Sequence, residues 1–329
     1  MTDGVSPVVR NIVERVSKTL ESGAQSFART YQRSSSAARA DARVLRDADS
    51  SSTGLFKEAL PVRRPNPMYA PMPSRADWNY RPSPAESAMA ARRLTTDVEF
   101  TGDMREAVAK SSTEVRKMRS EGGELNIYKP IDGERFDAGL PFFHTPGALT
   151  SRELGTYRVD ESLEFGRVPT TARTEGVIGP DGQPSGPGMI QQFVESTPAR
   201  SVDAYPVVQQ QQVACLDYIT GQMDRHPGNY RTVERGGHLD IVAIDHGRSF
   251  PLGRDPFDVW IDSDFVAAHK GVPLEREVLD AIHRVDVDHL RAALGDAGLH
   301  PNAIDGALAR LLKIRELGCI PEDVKLMAV

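Results

Sequence analysis

Cysteine is almost missing from this chain of 329 residues, where only Cys215 and Cys319 occur. That excludes a disulfide framework and makes a reducing compartment the expected one. Long apolar runs are missing as well, so no stretch reads as a membrane-spanning helix. The first residues also lack the short apolar core of a secretory signal. These absences predict a cytoplasmic protein, with export as an effector by a less legible route as the alternative. No internal repeat is visible. A hydrophobic content of 39% against 26% charged is somewhat polar for a globular chain, and predicts that part of it is not packed.

Charge is unevenly placed. The net charge is −6, yet residues 32–94 hold eleven Arg or Lys against six Asp or Glu. Residues 1–31 add one positive charge, which leaves −12 for residues 95–329. A compact part so acidic argues against wrapping nucleic acid, where neutralising phosphates dominates affinity. It also weakens docking on an anionic membrane.

Residues 7–31 read as one amphipathic helix: Pro7 suits a first helical position, and Val9, Ile12, Val13, Val16 and Leu20 recur at helical spacing. Its polar face mixes signs, which fits docking on a partner protein better than lying on a membrane; packing on its own domain is the equal alternative. Residues 32–94 read as a disordered linker, with two serine triplets, many prolines between Pro61 and Pro84 and little periodic burial. Apolar side chains within it, such as Trp78, have the option of lying along the folded part.

From residue 95 the pattern is strand-rich. Residues 98–101 form a first strand, and 113–119 with 124–129 form a hairpin around Gly122-Gly123. A helix over 151–165 follows, then a strand over 189–194 and a helix over 207–223. Two short strands come next, the second ending at Ile244, and residues 274–317 are helical by pattern. Strands first and helices later predict an α+β chain of two lobes around a cleft. The expected divisions are a β-rich N-lobe at 95–195 and a mainly helical C-lobe at 196–329.

The chemistry concentrates in residues 216–251. Asp224 is followed five residues later by Asn229 across a Pro-Gly turn, and Asp245 closes an apolar strand just before His246-Gly247. Phosphoryl transfer from magnesium-ATP needs such a set: an aspartate beside the attacking hydroxyl, and an asparagine and a second aspartate on the metal. The plain alternative for 224–229 is a surface turn, since Asp, Pro, Gly and Asn all form turns. His226 either stabilises charge or braces that turn. Lys129 ends an apolar strand and suits nucleotide phosphates, although edge strands also carry solvated lysines.

Glu153 is placed to pair with Lys129, or else to complete a capping box with Thr150. A phosphate-binding loop must lie in residues 102–112, where the only glycine is Gly102 and the donors are backbone amides with the hydroxyls of Ser111 and Ser112. A rival set, His226, His238, Asp240, Asp245 and His246, suggests a hydrolytic metal site, though without His-x-x-x-His helix spacing.

At these residues the chain resembles the phosphatidylinositol 3- and 4-kinase-like superfamily. DRHPGN at 224–229 looks like its DRHxxN catalytic motif, and IDHGRSFP at 244–251 like its metal-binding IDxGxxFP segment. An uncharacterised, mostly actinobacterial branch is closer still. Its YKPxxGE, RE, VPxT and GPGxxQxF segments match residues 128–134, 152–153, 168–171 and 186–193 in order. The resemblance spans roughly residues 95–265.

It implies a two-lobed, protein-kinase-like fold using ATP and Mg2+. Lys129 would meet the phosphates with Glu153 holding it, and residues Phe193, Val194 and Glu195 would form a hinge whose backbone meets adenine. Asp224 would be the catalytic aspartate, His226 would assist, and Asn229 and Asp245 would hold the metal. The departure is the glycine-poor phosphate loop. The acceptor expected first is a protein Ser/Thr, then a phosphoinositide or small hydroxyl compound. A nucleotide-binding pseudokinase or interaction module is the different class.

Overall fold

The computed structural model describes residues 78–109, 111, 113–135, 145–179, 181–253 and 255–327. The expected N-terminal helix at 7–31, most of the linker and Ser112 lie outside these residues. Two hydrophobic clusters divide what remains. A small one (Met89, Leu94, Met118, Tyr128, Ala172, Ile190) lies on the main sheet, and a much larger one fills the helical part. The chain is therefore two-lobed, a β-rich lobe beside a mainly helical one, as its strand-then-helix order predicts.

The linker expectation is corrected over residues 78–94. Ser83 accepts a hydrogen bond from the Glu86 amide and Pro84 takes the first turn of helix α1, Pro84–Ala90. Proline here starts a helix instead of preventing one. Trp78 lies against Gly295, leaving no room there for a Cβ. Buried Glu86 receives the Arg158 guanidinium at 2.6 and 3.1 Å. Composition could not show this, because the partners are some seventy and two hundred residues away.

Strand β1, Leu94–Val98, begins four residues before the expected strand, since fully buried Leu94 anchors it in the small cluster. Helix α2, Gly102–Ala109, leads to β2, Arg116–Ser120, and β3, Leu125–Pro130, which form the expected hairpin. Helix α3, Ala148–Leu163, is followed by β4, Thr171–Thr174, the short β5, Val177–Ile178, and β6, Pro184–Ser185, and then β7, Gly188–Gln192. These strands make one sheet in the order β4-β7-β3-β2-β1-β5-β6. Gly188 permits the close approach of β7 to β3: a Cβ there would stand 2.3 Å from the Lys129 carbonyl oxygen.

The next strand, β8 at Thr197–Pro198, belongs to a second sheet with β9, Tyr230–Arg235, and β10, His238–Ala243. The crossing between the two sheets thus falls in residues 193–196. Helix α4, Val207–Thr220, runs through the large core. The end of the chain adds β11, Trp260–Ile261, α5, Asp264–His269, α6, Arg276–Arg284, α7, Val287–Asp296, α8, Pro301–Leu317, and β12, Lys325–Leu326. Cys215 and Cys319 are both free.

Helix α3 is buried on most sides although it carries Arg152, Glu153, Arg158 and Asp160. Buried charge is tolerable only when paired. Arg158 meets Glu86 and Asp296, while Asp160 accepts the amides of Arg167 and Val168. The capping-box alternative for Glu153 fails, because the helix begins at Ala148 and Glu153 lies inside it. Its amino end is instead capped from outside by Glu134, which accepts from the amides of Gly147 and Thr150 and from the Thr150 hydroxyl at 2.8–2.9 Å.

Candidate active site

Lys129 sits on β3 with its neighbour Tyr128 turned into the small core, so the alternation of the strand aims the lysine at the opposite face. Glu153 meets it from α3, with Nζ to Oε1 at 2.6 Å, and Asp245 meets it from beyond β10 at 2.9 Å. Burial opposes the lysine's charge, but the two carboxylates outweigh it and its pKa is raised. Lys129 in turn holds the Asp245 carboxyl down to about 2, so Asp245 stays ionised at any working pH. Burial pushes Glu153 up despite Lys129. Its second oxygen accepts the His246 amide at 2.9 Å, which ties α3 to the strand end.

Asp245 has a φ of 56°, in the left-handed region. A side chain rarely holds that conformation without a surrounding structure that enforces it, and such residues gather at working sites. Here it turns the carboxylate out of the strand direction, about half exposed toward the cleft. Asp224 and Asn229 face it from the preceding turn. The Asn229 Nδ2 donates to the Asp224 carbonyl at 2.6 Å, which leaves its amide oxygen as the remaining acceptor. Burial raises the Asp224 pKa, with Arg248, 3.6 Å away, opposing the shift.

The turn and the strand end are held together by Arg225, a residue the sequence analysis gave no role. Its guanidinium binds Asp217 of α4, the carbonyls of Asn229 and Ile244 at 2.6 and 2.7 Å, and His246 Nδ1 at 2.9 Å. Facing a permanent donor, His246 Nδ1 must accept, so its proton sits on Nε2 toward the Ala243 carbonyl. Burial and Arg225 push His246 far below its ordinary pKa. The DRHPGN segment singles out Arg225 but not its partners, and eight residues from Asp217 across a helix end is no recognisable pattern.

All of this opens on one cavity of about 470 Å3 between the lobes, the size of a small-molecule site. Lys129, Asp224, His226, Asn229 and Asp245 line its charged end, while Val115, Ile127, Phe193, Val194, Val242 and Ile244 line an apolar slot. Glu153 stands behind Lys129, and Glu195 is not among the lining residues. Phe193 and Val194, both expected hinge residues, line the slot, but the Phe193 amide donates to the Leu125 carbonyl and so serves the sheet. His226 accepts the Gly228 amide at 2.9 Å and stays about half exposed, the bracing alternative. The rival hydrolytic set does not assemble. His246 is locked to Arg225, Asp240 binds Gln209 at 2.6 Å, and no cluster of three metal-ligating residues exists among the described residues.

The expected phosphate-binding loop is corrected: its place between β1 and β2 is taken by helix α2. Gly102, at φ 61°, starts that helix, and Met104, Ala107 and Val108 roof the cleft. Ser111 lines the cavity but exchanges hydrogen bonds with its neighbour Thr113. No residue of α2 is buried, and Asp103 ties it to Arg231 of β9 across the cleft mouth. That bond to Arg231 depresses the Asp103 pKa. With the carboxylate half exposed and Arg231 buried, the pair contributes about 0.5–1 kcal/mol. Asp103→Asn should therefore speed amide hydrogen exchange across residues 104–109 by about two- to fivefold, read by mass spectrometry. No change there would mean that α2 is held by other contacts.

No protein-family model matches the chain. Among curated proteins, phosphatidylinositol 4-kinase gamma 4 of Oryza sativa subsp. japonica is 30% identical over 164 residues, which cover 41% of this chain and 28% of that protein. The chain thus spans well under a third of that relative. Among solved structures, the Golgi casein kinase with Mn and ADP bound is similar at 14% identity and a TM-score of 0.47, covering 71% of this chain and 74% of that one. The Helicobacter pylori proinflammatory kinase CtkA matches at 13% and 0.40, covering 69% and 97%.

These are broad likenesses to several kinases, and none of them singles out the actinobacterial branch. The cytoplasmic expectation is corrected by the same comparison: a Golgi kinase stands among the structures returned, so few cysteines and no legible leader assign no compartment. Among the described residues, no helix is long and apolar enough to cross a membrane.

Proposed function

We propose that this chain is an ATP- and magnesium-dependent kinase that passes the γ-phosphoryl group to a hydroxyl acceptor, a protein serine or threonine first of all. The observation that carries the reading is convergence. Lys129, Asp224, Asn229 and Asp245, drawn from positions up to 116 residues apart, line one nucleotide-sized cleft that has an apolar slot at its other end. The donor set fits magnesium, which takes hard oxygen ligands from one or two carboxylates and completes its shell with phosphates and water. Asn229 and Asp245 supply such oxygens, and among the described residues no cysteine lines the cavity with them. When bound there, the ion would neutralise charge on the phosphates.

In this reading the protein's own groups do four things. Lys129, fixed by Glu153, meets the phosphates as a point charge. Asp224 orients the acceptor hydroxyl and takes its proton. Arg225 keeps the Asp224 turn in register with Asp245. The apolar slot takes the base, with the Val194 backbone as the hinge contact. Residues 95–195 and 196–329 are proposed as the two catalytic lobes, with 1–31 as a partner-docking segment. A nucleotide-binding pseudokinase is the second reading, favoured by the helix standing where a phosphate loop would lie.

The test is transfer from labelled ATP with magnesium to three acceptors: a proteome extract, phosphoinositide vesicles, and small polyols. Labelled protein, lost in Asp224→Asn, is the expected result. Label on lipid alone overturns the choice of acceptor, and ATP binding without transfer to any acceptor supports the pseudokinase.

A further inference from the structure

A buried polar side chain on the wall of the cleft has no part in the roles above. Gln191 is 3% exposed and lies on β7 directly opposite Ile127 of β3. Residues paired in register share a face, so Gln191 looks into the cleft as Ile127 does, and both line it. Lys129 is two residues along from Ile127, about 7 Å at strand spacing. Gln191 therefore faces the slot well away from the phosphate end.

The orientation of its amide is fixed by its neighbours. The Thr171 hydroxyl donates its single proton to the Pro169 carbonyl at 2.8 Å. Toward Gln191 it can then only accept, and it does so from Nε2 at 2.9 Å. The amide is thus held with Nε2 toward Thr171 and Oε1 away from it. Among the described residues no donor reaches Oε1, and the oxygen is open to the cleft.

We propose that Gln191 is a base-reading residue, presenting a fixed acceptor that selects a purine with an exocyclic amino group at C6. This rests on the reading of the cleft as a nucleotide site. Adenine offers an N–H to Oε1. Hypoxanthine and guanine offer a carbonyl oxygen, which loses the hydrogen bond and sets two acceptors against each other in a site shielded from water. Thr171 acts through Gln191 and is a positioning residue: without its hydroxyl the amide is free to turn over and present Nε2 instead.

The experiment is competition of ATP and ITP against a ribose-labelled fluorescent ATP on the full chain with magnesium. ITP differs from ATP only at C6 and the proton on N1 that follows from it. Wild type should prefer ATP by roughly tenfold or more. Gln191→Leu should weaken ATP roughly fivefold to tenfold and leave ITP within about twofold, collapsing the preference. Thr171→Val should lower the preference by at least about threefold without removing any group that touches the base, and it decides the matter if Gln191→Leu does not fold. An ATP-to-ITP ratio unchanged from wild type in a folded Gln191→Leu, or in Thr171→Val should the leucine variant not fold, overturns the assignment alone. Failure of wild type to bind either nucleotide overturns the cleft reading and this one together.

Discussion

Asp245→Ala should reduce phosphoryl transfer by roughly a hundred- to a thousandfold or more, the size of effect seen when a group placed on developing charge is removed. The carboxylate does two jobs that no neighbour duplicates. Among the described residues it is the only carboxylate that meets both Lys129, at 2.9 Å, and the open cleft, since Glu153 is sealed behind the lysine. It is also held ionised at about 2 by Lys129, so it offers a full negative charge to a cation at neutral pH. Asp245→Asn separates the charge from the backbone, because asparagine tolerates the left-handed conformation that alanine resists. Both variants should lose transfer, and the asparagine should melt closer to wild type.

The pH profile carries a second check on the same site. Burial raises the Asp224 pKa, and Asp224 must be ionised to take the acceptor's proton. The acidic limb of the rate profile should therefore lie above the ordinary aspartate value of about 4, with activity rising as pH rises through it. A limb below that value, or transfer undiminished in Asp245→Ala, would remove these two residues from the chemistry.

Arg225→Ala should destabilise the chain by about 3–5 kcal/mol, the usual loss when one partner of a buried ion pair is removed. Arg225 is 1% exposed and Asp217 is fully buried, so deleting the guanidinium strands a carboxylate whose pKa burial already raises. It also leaves the carbonyls of Asn229 and Ile244 and the His246 ring without their donor. Against a typical total of about 5–15 kcal/mol, much of the population would unfold. Arg225→Lys keeps one charge but cannot reach four acceptors at once, and should recover only part of the loss. Urea unfolding followed by circular dichroism measures both; a loss under about 1 kcal/mol for alanine would show that the network relaxes without its centre.

The turn at residues 224–229 and the strand end at 244–246 were legible in the sequence because each piece is short and its residue types are restrictive. A turn of Asp, Pro, Gly and Asn, and an aspartate closing an apolar strand, announce themselves without knowledge of distant partners. Lys129 and the β2–β3 hairpin were legible for the same reason: alternation along a strand and a glycine pair at its turn are nearest-neighbour properties. The two lobes followed from the order of such elements along the chain.

Tertiary structure decided everything that depends on which distant groups meet. Glu153 had two compatible partners within reach of the sequence, Thr150 and Lys129, and only the packing of α3 across the sheet chose the lysine. The Ser-Pro stretch before Leu94 read as unpacked until Glu86 found Arg158. Helix α2 stands where a loop was expected because its eight residues have little burial to declare themselves by. Arg225 and Gln191 stand in recognisable segments, yet nothing there says what they do: one gathers acceptors from a helix, a turn and a strand end, and the other has its amide set by a hydroxyl on the next strand. Burial turns such side chains from interchangeable polar residues into single-purpose ones, and burial is a property of the folded chain alone.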